Sequence, residues 1–428
     1  MKILIKNGRV IDPLTNIDDT LDILIQDGRI VEVKAKIDTS EAQTIDASRL
    51  VVTPGLIDMH VHLREPGFEY KETIASGAKA AAQGGFTSIA CMPNTSPPND
   101  NRGVTEFILA QARKVNLVNV FPVAAITKGL QGKELTDMAD LQAAGAIAFS
   151  DDGQPVSSSL IMRRALEYAQ MLNTLIIDHC EDRELSAEGV MNEGEWSLKF
   201  GLQGIPAVAE EIIVARDILL TRLTGSPLHV AHLSTKGSLE LLRWAKANRL
   251  PVTAEVTPHH LLLTDQMMAD YDTNLKVNPP LRSEEDRQAL LEGLRDGTID
   301  VIATDHAPHA PDEKDVEFDQ APFGIIGLES ALPVLLDRLV QTKIITLNRL
   351  VELLSTNPAR LLKLKNKGHL QVGADADLTL IQLQKKHTLD VSQFASQSRN
   401  CPFAGWSVKG RAVMTIVGGR IVYNALSP

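Results

Sequence analysis

Residues 56–67, LIDMHVHLREPG, determine the fold prediction. An apolar run of strand length leads into His60 and His62, and a polar loop follows. Side chains at positions i and i+2 of a strand lie on the same face, so both imidazoles can reach one metal ion. A single histidine is more often a hydrogen-bonded core residue, but a pair in this setting favours a ligand role. The stretch therefore predicts a buried strand that ends at a metal site.

Further residues of metal-ligand type close other short apolar runs. Asp151 and Asp152 follow AIAFS, His179 follows TLIID, His232 follows LHVA, and Asp305 follows VIAT. Each of them alone could be an ordinary turn or core residue, and side-chain parity leaves open which of the two neighbouring aspartates faces the site. With the first pair, and counting one of the two neighbouring aspartates, they supply four imidazoles and two carboxylates. That set is too large for one tetrahedral ion and suits a two-metal hydrolytic centre.

The middle of the chain, residues 53–365, alternates short β-branched runs with longer amphipathic runs. Eight such strand–helix units predict an α/β fold, a (β/α)8 TIM barrel that gathers the ends of its strands at one mouth. An open doubly wound sheet is the rival, but it would usually carry a Gly-rich phosphate loop after its first strand, and Pro66-Gly67 is not GxGxxG. The predicted strands are 56–62, 87–92, 118–124, 146–150, 174–179, 228–233, 252–255 and 301–304.

Both ends of the chain, residues 1–52 and 366–428, show the period-two alternation of β-strands. Asn7-Gly8 and Asp27-Gly28 look like hairpin turns between these strands. Neither end is long enough to bury a good core alone. We therefore predict one small β-sandwich built from both ends of the chain, beside the barrel of residues 53–365.

The composition is that of a globular protein and limits the partners. Among 428 residues, 44% are hydrophobic and only 4% aromatic, so Ala, Val, Ile and Leu must fill the core. The net charge of −11 disfavours nucleic acid or an anionic membrane as the main partner, but not an anionic small molecule in a cleft with metals and a local arginine. Cys91, Cys180 and Cys401 have no CxxC spacing, which indicates buried thiols in a reducing cytosol. No apolar run reaches membrane-spanning length, so we predict a cytoplasmic protein.

Several polar residues near the predicted strand ends are candidates for substrate binding. Arg64 lies on the same side as His62 and could hold a substrate carboxylate, although a solvated ion-paired arginine is the ordinary alternative. Asn94, Asn278 and His309 would be plain loop residues if judged singly. Residues 312–321, DEKDVEFDQA, are expected to form a solvated loop that can act as a lid.

Four other histidines are expected to have structural roles. His229 lies three residues before His232 and therefore on the other side of its strand. His259 and His260 follow the seventh strand, where packing or a supporting role is the simpler interpretation. His306 should point away from its neighbour Asp305.

The motifs HVHLREPG, MPNTSPP, AFSDDG, NPPLR and ATDHAPH resemble those of the type I dihydroorotases of the amidohydrolase superfamily. Each follows its expected barrel strand, and the likeness covers nearly the whole chain. The resemblance implies a β-sandwich beside a (β/α)8 barrel, and two zinc ions. The implied ligands are His60, His62 and Asp305 for one ion, His179 and His232 for the other, and Asp152 rather than Asp151 as the bridge.

The resemblance also implies the reversible cyclisation of N-carbamoyl-L-aspartate to L-dihydroorotate, the third step of pyrimidine synthesis. Asp305 would be the catalytic proton carrier. The implied substrate contacts are His62, Arg64, Asn94, Asn278, His309 and the backbone near Phe323 and Gly324.

One departure from the wider superfamily concerns the bridge. Hydantoinases and many dihydroorotases use a carbamylated lysine on the fourth strand, but residues 145–153, GAIAFSDDG, contain no lysine. A plain carboxylate must bridge, as in the aspartate-bridged bacterial subgroup. The remaining alternatives are an allantoinase or hydantoinase, a non-catalytic subunit of an aspartate transcarbamoylase complex, and a purely structural barrel. The family often forms dimers, so a homodimer is expected, and association with aspartate transcarbamoylase stays open, as does the choice among zinc, cobalt and manganese.

Overall fold

Two eight-stranded sheets form the framework of the protein. The computed structural model describes residues 2–39 and 41–426. The first sheet comes from both ends of the chain: β1 (Lys2–Asp12), β2 (Ile17–Gln26), β3 (Arg29–Lys34), β4 (Gln43–Asp46), β5 (Val51–Pro54), β16 (Leu378–Thr388), β17 (Ser407–Val417) and β18 (Arg420–Asn424). The second lies in the middle: β6 (Leu56–Val61), β7 (Phe86–Cys91), β8 (Asn119–Ala124), β9 (Ala148–Phe149), β10 (Ile176–Asp178), β13 (Leu228–Val230), β14 (Val252–Val256) and β15 (Val301–Ile302). A short pair, β11 (Met191–Asn192) and β12 (Gly204–Ile205), lies in a loop.

Helices separate the strands of the second sheet. Polar side chains cap the first turns of several of them, among them Thr73, Ser158, Thr235 and Ser283. The helices are α1 (Ile74–Gly84), α2 (Arg102–Val115), α3 (Met138–Ala144), α4 (Ser159–Leu172), α5 (Arg183–Ser186), α6 (Glu195–Phe200), α7 (Val208–Thr224), α8 (Lys236–Ala247), α9 (Pro258–Leu262), α10 (Glu284–Asp296), α11 (Pro311–Lys314), α12 (Ala331–Leu335), α13 (Leu347–Val351) and α14 (Asn357–Leu361).

The second sheet is parallel throughout and closes into a barrel. Its strands follow one another in chain order from β6 to β15. The backbone N–H of His62 donates to the carbonyl oxygen of His306 at 2.8 Å, which joins the two ends of the sheet. The predicted (β/α)8 barrel is therefore confirmed, with the ends of every strand within three residues of the predicted limits, and the open doubly wound alternative is wrong.

Small apolar side chains fill the inside of the barrel. Residues from strands all around the barrel belong to one buried apolar cluster. This agrees with the expectation that aliphatic side chains rather than aromatic ones build the core. The contributing residues include Met59, Ala90, Val123, Ala148, Ile177, Ala231, Val301, Ala303 and Leu362.

The first sheet folds over on itself around its own core. The N–H of Ala376, just before β16, donates to the carbonyl oxygen of Gly28 in the β2–β3 turn at 2.9 Å. Apolar side chains of both chain ends, such as Ile3, Ile23 and Leu378, form one buried cluster. The composite β-domain is thus confirmed as part of the fold class, whereas its exact limits at residues 52 and 366 stay a prediction.

One of the two predicted hairpin turns is wrong. Asp27-Gly28 does connect β2 to β3, with both residues at positive φ. Asn7-Gly8 instead forms a β-bulge inside β1, which runs on to Asp12. Gly8 is required there because a Cβ atom would lie 2.6 Å from the Cγ2 atom of Val52 on the neighbouring strand β5.

The cysteines and the helices agree with the compositional expectations. Cys91, Cys180 and Cys401 are buried free thiols. Within residues 2–39 and 41–426, every helix is too short or too polar to cross a membrane.

Candidate metal centre

The six predicted ligands meet at the mouth of the barrel. They lie at or just beyond the carboxyl ends of five different strands, β6, β9, β10, β13 and β15, which point the same way. All are buried, with exposed fractions between 0% and 8%. The residues are His60, His62, Asp152, His179, His232 and Asp305. Parallel strands have thus brought together side chains that are up to 245 residues apart in the sequence.

Asp152 occupies the centre of this group. Its Oδ1 atom lies 3.3 Å from Nε2 of His60, 3.5 Å from Nε2 of His232 and 3.9 Å from Nδ1 of His179. Its Oδ2 atom lies 3.4 Å from Nε2 of His62. The two oxygens therefore face different imidazoles, which is the arrangement that a carboxylate shared by two cations requires.

The neighbouring Asp151 points away from the histidines. Its carboxylate accepts hydrogen bonds from the backbone N–H groups of Ile126 and Thr127 and from the Thr127 hydroxyl. Burial raises the pKa of this carboxyl to about 6. The geometry thus distinguishes two aspartates that sequence parity could not: Asp151 supports the loop after β8, and Asp152 faces the site.

The donor set fits metal ions. The buried side chains form two groups, and within each group the potential ligand atoms lie within 4.8 Å of one another. One group is His60, His62 and Asp305, and the other is His60, Asp152 and His232. His60 Nε2 and Asp152 Oδ1 are buried without a hydrogen-bond partner. Buried polar atoms are seldom left unpaired, so two of them 3.3 Å apart and facing one another indicate that a cation completes the site.

Asp305 lies against His62. Its Oδ1 atom is 2.9 Å from His62 Nε2 and 3.6 Å from His60 Nε2. Burial alone would raise the pKa of Asp305, but the hydrogen bond with His62 and the charge of His60 outweigh it and hold the pKa below its ordinary value.

The electrostatics of the mouth favour positive charge. Burial lowers the pKa of His60, yet the charges of Asp152 and Glu255 outweigh it and raise the pKa well above the ordinary value. The pKa of His179 is also raised, because its hydrogen bond with Glu181 outweighs the lowering effect of burial. Excess carboxylate that draws protons onto imidazoles will also draw divalent cations to the same atoms.

Two of the imidazoles are held from behind. Nδ1 of His60 lies 2.6 Å from Oε1 of Glu255, a fully buried residue of β14. Nδ1 of His62 lies 2.8 Å from Oδ1 of Asn94. Both contacts place a proton on Nδ1 and turn the Nε2 lone pair toward the centre.

His179 is held through its other ring nitrogen. Its Nε2 lies 3.1 Å from Oε2 of Glu181, and the amide nitrogen of Asn278 donates to the same oxygen at 3.3 Å. Its Nδ1 therefore faces Asp152 and His232.

Two further site residues, Glu255 and Glu181, were not predicted from the sequence. Glu255 was recognisable as an acidic residue within an apolar strand, and Glu181 as a carboxylate two positions after His179, on the same face.

A cavity of about 200 Å³ opens above the ligands. Its lining contains every predicted site residue except His60, which lies beneath it. The substrate candidates in the lining are His62, Arg64, Asn94, Asn278, His309, Phe323 and Gly324. Sequence positions spread over 263 residues thus contribute to one small polar chamber.

Arg64 and His309 lie side by side at one end of the chamber. Arg64 donates from Nε to the carbonyl oxygen of Pro308 at 3.1 Å, and its Nη2 is 3.4 Å from His309 Nε2. The same His309 nitrogen lies 2.9 Å from the carbonyl oxygen of Phe323, so it carries the ring proton. Burial and the charges of Arg64 and Lys71 lower the pKa of His309 to about 2, which keeps the ring neutral.

Phe323 and Gly324 form the wall beside His309. The N–H of Gly324 donates to the carbonyl oxygen of Lys276 at 2.9 Å, so this group is already engaged. Gly324 has a φ of 128°, and a Cβ atom there would lie 2.8 Å from the Cβ atom of Ala307. A glycine is therefore needed to keep this wall of the chamber open.

Three site residues have left-handed backbone conformations. Arg64, His232 and Asp305 have φ values of 63°, 30° and 48°. Such conformations cost free energy for residues other than glycine and persist where the surrounding structure enforces them. The barrel mouth thus fixes the direction of these side chains through the backbone.

The predicted lid, residues 312–321, is not a free solvated loop. It begins in α11, and its Lys314 is buried, with Nζ donating to the carbonyl oxygens of Thr273 at 3.0 Å and Pro322 at 2.7 Å. Phe318 is also buried. The expectation of a wholly solvated segment was wrong because these two side chains anchor it between exposed residues.

His229 does not lie on the other side of its strand from the site, as predicted, but inside the barrel against Glu255. The prediction failed because the strand ends at Val230, so its side-chain alternation does not reach His232. His260 has the supporting role expected of it and hydrogen-bonds Thr257 and the carbonyl oxygen of Pro279. His306 turns away from the site to Glu72.

Comparison with known families places this site in context. Residues 48–238 match the family described as dihydro-orotase-like, and residues 245–423 match the amidohydrolase family. The chain is 53% identical to the dihydroorotase of Syntrophus aciditrophicus and 54% identical to that of Geobacter metallireducens, over 99% of this chain and 100% of each relative. It is 56% identical to the dihydroorotase of Pelotomaculum thermopropionicum over 99% of this chain and 98% of that protein.

Solved structures with the same architecture include cyclic amidases. The L-hydantoinase (dihydropyrimidinase) from Arthrobacter aurescens superimposes with a TM-score of 0.88 at 28% identity, covering 99% of this chain and 96% of that one. The dihydropyrimidinase from Brevibacillus agri gives a TM-score of 0.85 at 23% identity, covering 99% and 95%. At the lower identity the likeness concerns the fold alone.

Proposed function

Since this chain belongs to the dihydroorotase family of the amidohydrolase superfamily, we propose that the six side chains at the barrel mouth hold two zinc ions for the family's reaction. That reaction is the reversible cyclisation of N-carbamoyl-L-aspartate to L-dihydroorotate and water, the third step of pyrimidine synthesis. Dihydroorotase activity is the function of the chain, and its metal dependence and the roles of individual residues are the proposal.

The ligand assignment depends above all on the position of Asp152. His60, His62 and Asp305 would hold one ion, and His179 and His232 the other. Support comes from the carboxylate of Asp152, whose oxygens lie within 3.9 Å of imidazole nitrogens of both ligand sets. Bridging by this carboxylate would need no modified lysine.

The ions and Asp305 would divide the chemistry between them. Two divalent cations at these atoms would polarise the ring amide carbonyl and acidify water in the cavity. In the hydrolytic direction the carboxylate of Asp305 would take the proton of the attacking water and deliver it to the leaving ring nitrogen. In the synthetic direction it would deprotonate the carbamoyl nitrogen.

The chamber suits a substrate that carries a second carboxylate. Arg64 is a fixed cation at its far end, held from behind by Pro308 O, and its guanidinium can pair with the α-carboxylate. The neutral His309 beside it adds no second charge. Asn94 and Asn278 lie on other walls, where their amides can orient the ring.

Hydantoin or allantoin hydrolysis is the nearest alternative, because hydantoinases share the architecture. The substrates of those enzymes lack the carboxylate that Arg64 is placed to bind. Steady-state assays of the purified chain with L-dihydroorotate, hydantoin and allantoin would separate the possibilities. A preference for either of the latter two would reject the substrate proposal.

Metal removal tests the centre directly. Dialysis against a chelator should abolish dihydroorotase activity, and zinc should restore it, with about two equivalents bound in elemental analysis. Asp152→Asn should lose metal, whereas the adjacent Asp151→Asn should keep it, because Asp151 faces the loop after β8. Full activity in metal-free protein would contradict the proposal.

Larger-scale properties follow from the family. We propose a homodimer in the cytoplasm, with aspartate transcarbamoylase as a candidate partner. Light scattering of the chain alone and after mixing with the transcarbamoylase of the same cell would test both assemblies.

A further inference from the structure

Glu255 lies beneath the metal centre in the interior of the barrel. It is fully buried on β14, and its carboxylate contacts three nitrogens. Oε1 lies 2.6 Å from Nδ1 of His60 and 3.3 Å from the backbone nitrogen of His232. Oε2 lies 3.2 Å from Nε2 of His229. Two of these three contacts are to residues that would bind the ions.

A carboxylate can only accept hydrogen bonds, so each of these nitrogens must donate. His60 then carries its proton on Nδ1, and the lone pair of Nε2 points to Asp152 and Asp305, 3.3 and 3.6 Å away. Three hydrogen-bond donors around one carboxylate favour its ionised form.

His229 completes the arrangement from the other side. Its Nδ1 lies 2.8 Å from the hydroxyl of Thr253, so Nε2 is free to donate to Glu255. A buried charge without partners is costly, and here three donors satisfy it. The barrel interior thus maintains an anion directly behind one metal ligand.

We propose that Glu255 is a positioning residue of the metal centre, which fixes His60 in the tautomer whose Nε2 can bind a cation and adds a buried negative charge behind it. The inference rests on the proposed metal centre. Outer carboxylates of this kind orient the imidazole and make it a better ligand, and their loss weakens metal affinity by about 10- to 100-fold.

Glu255→Gln tests the proposal with little change of shape. The glutamine removes the charge and replaces one acceptor with an NH2 group, which cannot accept from His60 or His229. Glu72→Gln is a matched control, because Glu72 is also a buried carboxylate against a histidine, His306, which turns away from the site. Cobalt(II) titrations of metal-free protein, followed by visible absorption with a competing chelator, would give the affinities.

We expect Glu255→Gln to bind cobalt about 10- to 100-fold more weakly than the wild type and Glu72→Gln to bind like the wild type. Equal affinity of Glu255→Gln and wild type, or equal losses in both variants, would overturn the inference and leave the metal centre standing. A wild-type protein that binds no cobalt would overturn the metal centre itself, and the inference with it.

A second measurement does not depend on how well the variant folds. In zinc-loaded wild-type protein labelled with 15N in its histidines, His60 should show a metal-bound Nε2 and a strongly hydrogen-bonded, slowly exchanging Nδ1–H. A metal-bound Nδ1 in His60 would overturn the inference.

Discussion

In the proposed mechanism Asp305 would have two functions, as a metal ligand and as a proton carrier. Its carboxylate stays ionised because the hydrogen bond with His62 and the charge of His60 outweigh burial. Asp305→Asn keeps the shape and one ligand oxygen but cannot accept a proton. We expect kcat to fall by about 10²- to 10⁴-fold, the usual contribution of a positioned base.

Two control measurements, the metal content and the KM of Asp305→Asn, distinguish a lost proton carrier from a lost metal centre. Elemental analysis should still find some metal in the variant, and KM should change far less than kcat. A kcat close to the wild-type value would contradict the proton role.

Arg64 should determine the preference for a carboxylated substrate. A hydrogen-bonded charge pair contributes about 1.5–3 kcal/mol, so Arg64→Ala should lower kcat/KM for dihydroorotate by about 10- to 100-fold. Dihydrouracil, the same ring without the carboxylate, should be hydrolysed no worse by the variant than by the wild type. Arg64→Lys keeps the positive charge but loses the two-pronged guanidinium, so its kcat/KM for dihydroorotate should lie between the values of the wild type and Arg64→Ala. Equal losses for both substrates in Arg64→Ala would show that Arg64 does not bind the carboxylate.

Single residues also show how far the sequence alone could lead. The His60–His62 pair was readable because the strand period places both side chains on one face. Asp151 and Asp152 were not separable, because both follow the end of a strand, where the period is lost. Glu255 was missed because its role depends on a contact across the barrel with His60, 195 residues away.

For secondary structure too, local patterns could be predicted from the sequence, whereas features that depend on a distant partner could not. The barrel strands were predictable from apolar runs between amphipathic helices, since each strand is buried on both faces. Asn7-Gly8 misled because a bulge, like a hairpin turn, can use a residue at positive φ, here Asn7, and only the pairing partner distinguishes the two. Residues 312–321 were wrongly predicted to be wholly solvated, because most of the segment is exposed and only a few side chains, such as Lys314 and Phe318, anchor it.

The segment before α12 holds the C-terminal part of the chain against the barrel. Glu329 accepts hydrogen bonds from the backbone N–H groups of Ala395 at 2.8 Å and Ser396 at 3.3 Å. Burial raises its pKa from 4.5 to about 7. The folded protein therefore binds this proton more tightly than the unfolded chain does. The stability it contributes is complete below pH 4.5 and is lost as the pH rises through 7.

Glu329→Gln should remove this pH dependence. Between pH 5 and 8 the wild type should lose on the order of 1–3 kcal/mol of stability relative to the variant, measured by thermal unfolding across that range. Glu292→Gln, at an exposed position of α10, should follow the wild type. If the stability of the wild type and of Glu329→Gln changed equally with pH, Glu329 would not be the source of the pH dependence.

At the scale of the whole molecule, two basic side chains lie near the metal chamber of a chain whose net charge is negative. The chain carries a net charge of −11, yet an outer cavity of about 610 Å³, which shares Asn94, Asp152 and Gly153 with the metal chamber, is lined by Lys133 and Arg183. Arg183 also donates to the carbonyl oxygen of Gly153 at 3.0 Å. A local positive entrance on an acidic protein would concentrate anionic substrates at the mouth and keep other anions from the remaining surface.

Because of this entrance, kcat/KM should depend on the salt concentration, and more strongly for the substrate with more negative charge. N-carbamoyl-L-aspartate has two carboxylates and dihydroorotate one, so kcat/KM should fall more steeply with ionic strength for the former. Lys133→Gln should lower kcat/KM for N-carbamoyl-L-aspartate at low salt by about two- to threefold and flatten its salt dependence, because charges at the rim act mainly on association. Lys385→Gln, at an exposed position on β16 of the first sheet, removes the same charge outside the lining of the entrance and should reproduce the wild-type slope. If both variants had the same slope, the effect would arise from net charge alone, and the entrance would have no part in guiding the substrate.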